Sequence, residues 1–201
     1  MASSAAPDLI LASTSRYRAE LLRRLRVPFA TRAPEVDEAR QSGESPLGLA
    51  QRLAAEKAGA VARTAPGAWV IGSDQVCMLG DEALGKPGSH EAALAQLRQL
   101  TGREAVFHTA VCVISPDGKT QIRNCPTEVK FRTLRDDDIE RYLNLDAPYD
   151  CAGSAKSESL GPALLTRMRS DDPTALIGLP LIDLCDMLRQ SGFDVLARAR
   201  P

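Results

Sequence analysis

Short apolar runs alternate with amphipathic stretches along this chain, which indicates a protein that combines β-strands with α-helices. The first apolar run is Leu9–Ala12, and it ends in the polar sequence Ser13-Thr14-Ser15. Leucines follow at helical spacing, at positions 21, 22 and 25. We therefore predict a buried strand, a polar loop and a helix over 16–25, an order that is common at the start of α/β folds.

Further helices are predicted where a capping or helix-starting residue precedes an apolar stripe with helical period. They cover 45–61, 89–100, 136–145 and 180–191, and Asp172-Pro173 opens one additional helical turn. A buried strand at 69–71 runs directly into Gly72-Ser73-Asp74-Gln75. The stretches 105–114 and 120–131 flank Ser115-Pro-Asp-Gly118, which predicts a β-hairpin around a turn.

Strands and helices are mixed here without strict alternation. We therefore predict an α/β protein of mixed α+β character, with a central mixed, strongly twisted sheet flanked by helices. Two lobes with a cleft between them are expected. A single domain is predicted over 8–197, preceded by a disordered N-terminal tail over 1–7.

The charge balance limits the classes of partner. Lys and Arg total 25 against 26 for Asp and Glu, so the net charge is −1. A chain with this balance has no global field that attracts a nucleic acid polymer or an anionic membrane, and any site for a polyanion must be local. Aromatic residues make up only 4%, which argues against a surface that stacks single-stranded bases.

Cysteine usage and the N-terminus indicate the compartment. Five cysteines are spread along the chain without a C-x-x-C pair: Cys77, Cys112, Cys125, Cys151 and Cys185. An odd, scattered set is typical of reduced thiols in the cytoplasm rather than of a disulfide framework or a zinc site. Residues 1–7 lack the basic and apolar regions of a signal peptide, and no apolar run approaches the ~18 residues of a membrane span. We expect a soluble cytoplasmic protein.

The loop after the first strand is the first candidate for chemistry. Ser13, Thr14 and Ser15 stand there with Arg16 and Arg18. Amide groups at a helix N-terminus bind phosphate, and hydroxyl and guanidinium groups reinforce that binding. The alternative is a helix cap with two solvated arginines, because the glycines of a P-loop are missing.

Asp74 is the second candidate, because open α/β sheets place their ligand sites at strand ends. A carboxylate in that position can bind a metal ion or deprotonate water. The alternative is an aspartate that ends the strand and bonds loop amides.

Other polar segments are weaker signals. Lys86 lies in the rigid turn Gly85-Lys-Pro87, and Glu35, Asp37 and Glu38 form an acidic loop. That loop can supply the oxygen ligands that Mg²⁺ prefers, or it can simply be solvated. The segment 151–158 is rich in small residues and allows close approach to a ligand, or it is a tight connection. His90 and His108 form neither a metal nor a triad pattern, so we interpret both as structural.

Together these segments resemble the Maf family of nucleotide pyrophosphatases. The resemblance extends over most of the chain, from Leu9 to about Leu188. The matching stretches, in order, are Leu9-Ile-Leu-Ala-Ser-Thr-Ser15 with Arg18, Ala33-Pro-Glu-Val-Asp-Glu38, Ala55-Glu-Lys57, Ile71-Gly-Ser-Asp-Gln-Val76, Gly85-Lys-Pro87, Cys151-Ala-Gly-Ser154 with Lys156-Ser-Glu158, and Asp172-Pro173 with Gly178-Leu-Pro180. Each stretch is weak alone, and the ordered set is specific.

The resemblance implies hydrolysis of a nucleoside triphosphate between its α- and β-phosphates, with Asp74 as proton acceptor and with a divalent cation such as Mg²⁺ or Mn²⁺. It also implies a possible homodimer and a role for Tyr17, Gln75 and Glu158 in base choice. Gln75 follows the aspartate where another branch of the family has threonine. This resembles the branch that acts on 7-methyl-GTP, although that branch often has tryptophan at the position of Tyr17.

The physics of a polyanionic substrate agrees with this implication. Phosphate binding is expected from Ser13, Ser15, Arg18, Lys57 and Lys86, and metal binding from Glu35 and Asp74. A metal there would polarise the α-phosphoryl group and activate the attacking water. Two alternatives stay open: a house-cleaning pyrophosphatase for dTTP, UTP or modified nucleotides, and a non-catalytic nucleotide-binding regulator of cell division.

Overall fold

The structure is a computed structural model that describes residues 8–201, so the tail predicted over 1–7 lies outside the described residues. One sheet of seven strands forms its centre, in the order β2-β1-β3-β5-β6-β7, with β4 paired to β3. The strands are β1 Leu9–Ala12, β2 Ala30–Arg32, β3 Trp69–Leu79, β4 Glu82–Leu84, β5 Glu104–Ile114, β6 Thr120–Phe131 and β7 Leu165–Arg169. The helices are α1 Arg16–Arg23, α2 Pro46–Ala62, α3 His90–Leu100, α4 Asp136–Asp146, α5 Leu181–Gln190 and α6 Val195–Arg198.

The sheet is mixed, as predicted. Strand β1 runs parallel to β2 and to β3, whereas the pairs from β3 through β5 and β6 to β7 are antiparallel. Short 3₁₀ turns at Ala152–Ser154, Gly161–Leu164 and Ala175–Ile177 connect the later elements.

Strand β3 is much longer than the stretch predicted at 69–71. It continues through Gly72–Gln75 to Leu79, because β5 pairs with it from Val70 opposite Ile114 to Met78 opposite Val106. The placement of Asp74 at a strand end was therefore wrong. The strand beside it, β1, ends at Ala12, so Asp74 extends past the end of its parallel neighbour.

Three apolar clusters cover the two faces of the sheet. On one face α2 packs against Ile10, Val70 and Ala110. On the other face α1 and α5 cover one end, around Leu11, Ile71 and Val113, and α3 and α4 cover the other end, around Cys77, Phe107 and Val129. The second face therefore carries two separate groups of helices, α1 with α5 and α3 with α4, which we call its two helical layers.

Glycine allows α2 to lie unusually close to β3. A Cβ atom at Gly72 would stand 2.1 Å from the Ala54 carbonyl oxygen and 2.7 Å from the Ala58 nitrogen. This close approach brings the middle of α2 beside the polar part of β3. Within residues 8–201, no helix combines the length and the apolar character needed to cross a bilayer.

Candidate active site

A cavity of about 400 Å³ opens beyond the end of β1 and is lined by residues of α1, α2 and β3, among others. All the residues predicted to act in binding or catalysis except Glu35 line it: Ser13, Ser15, Tyr17, Arg18, Lys57, Asp74, Gln75, Lys86 and Glu158. The structure thus brings together side chains that are up to 145 positions apart in the chain, from Ser13 to Glu158.

The loop between β1 and α1 forms one side of the cavity. The Ser13 hydroxyl accepts a hydrogen bond from the Ser15 amide at 3.0 Å, and the Ser15 hydroxyl caps α1 by accepting from the Arg18 amide at 3.4 Å. The capping role that the sequence offered as an alternative is therefore present at Ser15. Phosphate binding by these hydroxyls remains a prediction.

Lys57 and Asp74 form a buried ion pair at the floor of the cavity. Lys57 Nζ lies 2.7 Å from Asp74 Oδ1, and the two residues are only 5% and 7% exposed. The same ammonium lies 2.7 Å from Glu38 Oε1, whose side chain is half-exposed. Asp74 uses Oδ1 for the ion pair, so Oδ2 is available to a water molecule or a cation.

Glu38 is an acidic residue of the cavity, although metal binding was expected from Glu35 and Asp74. It lines the cavity, whereas Glu35 is exposed and does not. Burial alone would raise the pKa of Glu38, but the hydrogen bond and charge of Lys57, with Lys86 and Arg18 nearby, lower that pKa below its ordinary value. Glu38 is therefore an anion at neutral pH. Its membership of the acidic loop 35–38 was the only sequence signal.

Arg18 joins the loop of the first strand to the opposite wall. Its Nε donates to the Gly178 carbonyl at 2.9 Å. Burial lowers the pKa of its guanidinium, while the charges of Asp74 and Glu38 oppose that effect. Arginine keeps its proton well above neutral pH, so Arg18 presents a cation to the cavity.

Gln75 points to the face of β3 opposite to that of Asp74, as neighbouring strand residues do. Its amide nitrogen lies 2.9 Å from Thr109 Oγ1, 3.1 Å from the Ala175 carbonyl and 3.0 Å from the Leu176 carbonyl. The amide hydrogens therefore bind protein atoms, and only the amide oxygen remains for a ligand.

An aromatic and acidic group forms the outer end of the cavity. The guanidinium of Arg16 lies 4.7 Å from the centre of the Tyr17 ring and donates to the Tyr17 hydroxyl at 2.7 Å. Asp150 Oδ1 lies 3.4 Å from that hydroxyl, and Glu158 is exposed at the rim. Burial raises the pKa of the Tyr17 hydroxyl to about 12, so this side chain is neutral at pH 7.

The thiol of Cys151 also lines the cavity. Burial raises its pKa to about 12, so it is protonated at neutral pH. Because the thiolate is the nucleophilic form of cysteine, this thiol is poorly suited to covalent catalysis.

The carboxylates fit a magnesium ion of the kind that binds nucleotides. Among residues 8–201 no group of three or more His, Cys, Asp or Glu side chains is placed to hold a metal. Mg²⁺ at phosphate-transfer sites is bound by one or two carboxylates together with substrate phosphates and water. Asp74 and Glu38 supply hard oxygen donors, each with one oxygen 2.7 Å from Lys57 Nζ, and two carboxylates agree with that pattern.

Comparison with known proteins gives consistent matches over nearly the whole chain. The family described as Maf-like protein matches residues 8–191. A protein of Thiobacillus denitrificans named 7-methyl-GTP pyrophosphatase is 59% identical over 191 residues, covering 94% of this chain and 95% of that protein. Proteins with the same name from Cupriavidus metallidurans and Xanthomonas oryzae pv. oryzae are 54% and 57% identical, over 96% and 93% of this chain and 98% of each relative.

Proposed function

This chain belongs to the Maf family, and we propose that it is a nucleoside triphosphate pyrophosphatase that converts 7-methyl-GTP to 7-methyl-GMP and pyrophosphate. The observation that carries the proposal is the buried pair of Lys57 and Asp74 in a cavity whose lining also includes the cations Arg18 and Lys86. Such a pair places a carboxylate within reach of a phosphate without leaving its negative charge uncompensated.

The positive side chains supply the local polyanion site that the net charge of −1 does not. Lys57, Lys86 and Arg18 all line the cavity. We assign them to the triphosphate, with the hydroxyls of Ser13 and Ser15 as further donors. Charge that develops on the leaving pyrophosphate is stabilised best by cations that are already in place.

Asp74 is the proposed proton acceptor. Lys57 holds Oδ1, so Oδ2 takes the proton of the attacking water. A bond forms between the water oxygen and the α-phosphorus, and the bond from that phosphorus to the bridging oxygen breaks. The electron pair leaves with pyrophosphate, which Lys86 and Arg18 neutralise. A bound Mg²⁺, held by Asp74 and Glu38, would polarise the phosphoryl oxygens and lower the pKa of the water.

The choice of 7-methyl-GTP rests on the names of the relatives and on the outer end of the cavity. N7-methylation gives guanine a delocalised positive charge. The Tyr17 ring offers a face for a planar cation, and Glu158 and Asp150 offer negative charge beside it. A homodimer and a cytoplasmic location remain predictions from the sequence.

Product analysis of the parent and of Asp74→Asn tests the proposal. The parent should release pyrophosphate and a nucleoside monophosphate in the presence of Mg²⁺, and chromatography of an early time point identifies them. Asp74→Asn should retain its circular dichroism spectrum and lose at least about 100-fold in kcat, the lower range for a positioned base. Activity within about threefold of the parent, or nucleoside diphosphate as the main product, would reject the proposal.

A further inference from the structure

A row of polar side chains interrupts the apolar face of the sheet between its two helical layers. Along β3 this face carries Ile71 in one apolar cluster and Cys77 in the other, with Ser73 and Gln75 between them. Thr109 lies opposite Gln75 on β5. The chain segment 175–178, which we name the 175–178 wall, lies over this polar row.

We propose that Thr109 is a positioning residue that, through its hydrogen bonds to Ala175 and Gln75, fixes the 175–178 wall and thereby affects the base selectivity of the cavity. This inference rests on the proposed function, because it concerns the same nucleotide site. The wall itself contributes Leu176, Ile177 and Gly178 to the cavity lining, whereas Thr109 is fully buried and does not line it. Any effect of Thr109 on a ligand must therefore pass through its neighbours.

The first end of the wall is held by hydrogen bonds from the sheet. Thr109 Oγ1 donates to the Ala175 carbonyl at 2.9 Å and accepts from Gln75 Nε2 at 2.9 Å. Gln75 Nε2 also lies 3.1 Å from the Ala175 carbonyl and 3.0 Å from the Leu176 carbonyl. Two consecutive carbonyls of the wall are thus held by two adjacent strands.

The second end of the wall is held at Gly178. Its carbonyl accepts from Arg18 Nε at 2.9 Å and lies 2.9 Å from Ser73 Oγ, whose single hydrogen is shared between this carbonyl and the Ala110 carbonyl at 2.8 Å. Because Arg18 also faces the phosphate side of the cavity, the position of the wall affects the position of a phosphate ligand as well. Hydrogen bonds at both ends make the wall a preorganised surface rather than an adaptable loop.

The hydrogen bonds of Gln75 indicate how the side chain at position 75 affects selectivity for the base of the nucleotide. Both of its amide hydrogens are engaged by Thr109 and the wall, so its influence on a ligand is carried mainly by Leu176 and Ile177. A shorter side chain at position 75 cannot span the distance from β3 to these carbonyls. The wall would then lose the donor that Gln75 supplies.

Thr109→Val tests the inference, because valine keeps the shape of threonine and replaces the hydroxyl with a methyl group that cannot form a hydrogen bond. The readout is the ratio of kcat/KM between the best and the worst substrate of the parent, among 7-methyl-GTP, GTP, UTP and dTTP. We expect this ratio to narrow about fivefold, which corresponds to about 1 kcal/mol for one buried hydrogen bond. The change should lie mainly in KM, with kcat within about threefold of the parent.

Two matched variants separate positioning from general destabilisation. Thr109→Ser retains the hydroxyl and should keep the parent's ratio. Thr101→Val removes a hydroxyl that bonds the Arg132 carbonyl and the Leu134 amide, away from the cavity. This variant should unfold at a lower urea concentration and keep the parent's ratio of kcat/KM between the best and the worst substrate. If Thr109→Val does not fold, Thr109→Ala takes its place in the same comparison.

The outcomes for this inference and for the proposed function are distinct. If the parent protein prefers UTP or dTTP, the proposed 7-methyl-GTP function is overturned. The role of the wall is then still tested, because the variants are compared by the ratio of kcat/KM between the parent's best and worst substrates, whichever these are. If turnover is absent, the ratio of dissociation constants for 7-methyl-GMP and UMP, measured by calorimetry, replaces it. The inference is overturned if Thr109→Val keeps the parent's ratio, or if Thr101→Val narrows it equally.

Discussion

Lys57 Nζ lies 2.7 Å from Asp74 Oδ1, in a pair whose two members are almost completely buried. The ammonium comes from α2 and the carboxylate from the middle of β3, and Gly72 allows the close approach of these two elements. The pair therefore links the packing of the fold to the proposed chemistry. Substitutions at its two members should affect both.

Lys57→Met should cost about 3 kcal/mol of unfolding free energy, the cost of breaking a buried ion pair, as well as most of the turnover. Removing one partner of a buried ion pair leaves the other charge uncompensated. The loss of unfolding free energy should lie at the lower end of the range for broken buried ion pairs, because Asp74 borders a cavity that water can enter. Urea denaturation and Mg²⁺-dependent pyrophosphate release measure the two effects.

Lys86→Ala is the matched control for this prediction. Lys86 lines the same cavity and is exposed, and among residues 8–201 it forms no ion pair with a buried carboxylate. Its removal should lower kcat/KM and change stability by no more than about 0.5 kcal/mol. Equal stability losses in the two lysine variants would contradict the assignment of Lys57 as the buried member.

Glu38→Gln should raise the Mg²⁺ concentration needed for half-maximal activity, whereas Glu35→Gln should leave it unchanged. Glu38 Oε1 lies 2.7 Å from Lys57 Nζ, beside Asp74, and Glu35 is exposed outside the cavity. Loss of one of two carboxylate ligands typically costs metal affinity, and the amide keeps the size of the side chain. A magnesium titration of initial rates decides between the two glutamates. A larger increase of this Mg²⁺ concentration for Glu35→Gln than for Glu38→Gln would support Glu35 as the metal ligand, as predicted from the sequence.

The hairpin of β5 and β6 and the helix α2 could be predicted from the sequence because their signals are local. Apolar alternation around Ser115-Pro-Asp-Gly118 and a capped stripe after Ser45 are visible within a few turns of chain. The short strands β2, β4 and β7 were not predicted. They have three to five residues, and their pairing depends on distant partners rather than on their own pattern. The length of β3 was missed for the same reason.

The cavity lining was predicted better than its internal geometry. Nine of the ten residues proposed from the ordered motifs line the cavity. The motifs did not distinguish Glu38 from Glu35, which lie three positions apart in one loop. That choice depends on which carboxylate reaches Lys57. Likewise, the engagement of Gln75 with the 175–178 wall depends on contacts across 100 residues. Motif spacing contains no information about either contact.

Gly72→Ala should destabilise the protein by more than about 3 kcal/mol, since the new methyl group would overlap the backbone of α2. Gly59→Ala lies on that same helix, where the nearest atom to a new Cβ is the flexible end of Arg63 at 3.8 Å. This variant should stabilise the protein by about 0.5–1 kcal/mol, because glycine is costly in a helix interior. Thermal unfolding of both variants measures the contrast. A well-tolerated Gly72→Ala would mean that α2 can move away from β3 without loss.

The base preference gives the last prediction. The parent should hydrolyse 7-methyl-GTP with a higher kcat/KM than GTP, UTP or dTTP, because the Tyr17 ring suits a planar cation. The guanidinium of Arg16, itself a planar delocalised cation, lies 4.7 Å from the centre of that ring. A cation–π contact is worth about 0.5–2 kcal/mol, so Tyr17→Leu should reduce the preference over GTP roughly two- to thirtyfold.

Tyr17→Phe provides the control for this effect, because it keeps the ring and removes the hydroxyl that bonds Arg16 and Asp150. It should retain most of the preference, whereas Glu158→Ala should narrow it, since a carboxylate can accept from the guanine N1–H and exocyclic amine. The measurement is a set of initial rates for the four triphosphates with each variant.

If Tyr17→Leu keeps the parent's preference, the ring does not recognise the methylated base. If UTP or dTTP is the better substrate of the parent, the pyrimidine alternative replaces the 7-methyl-GTP assignment, while the roles of Asp74 and Lys57 in cleaving the α–β bond are unaffected.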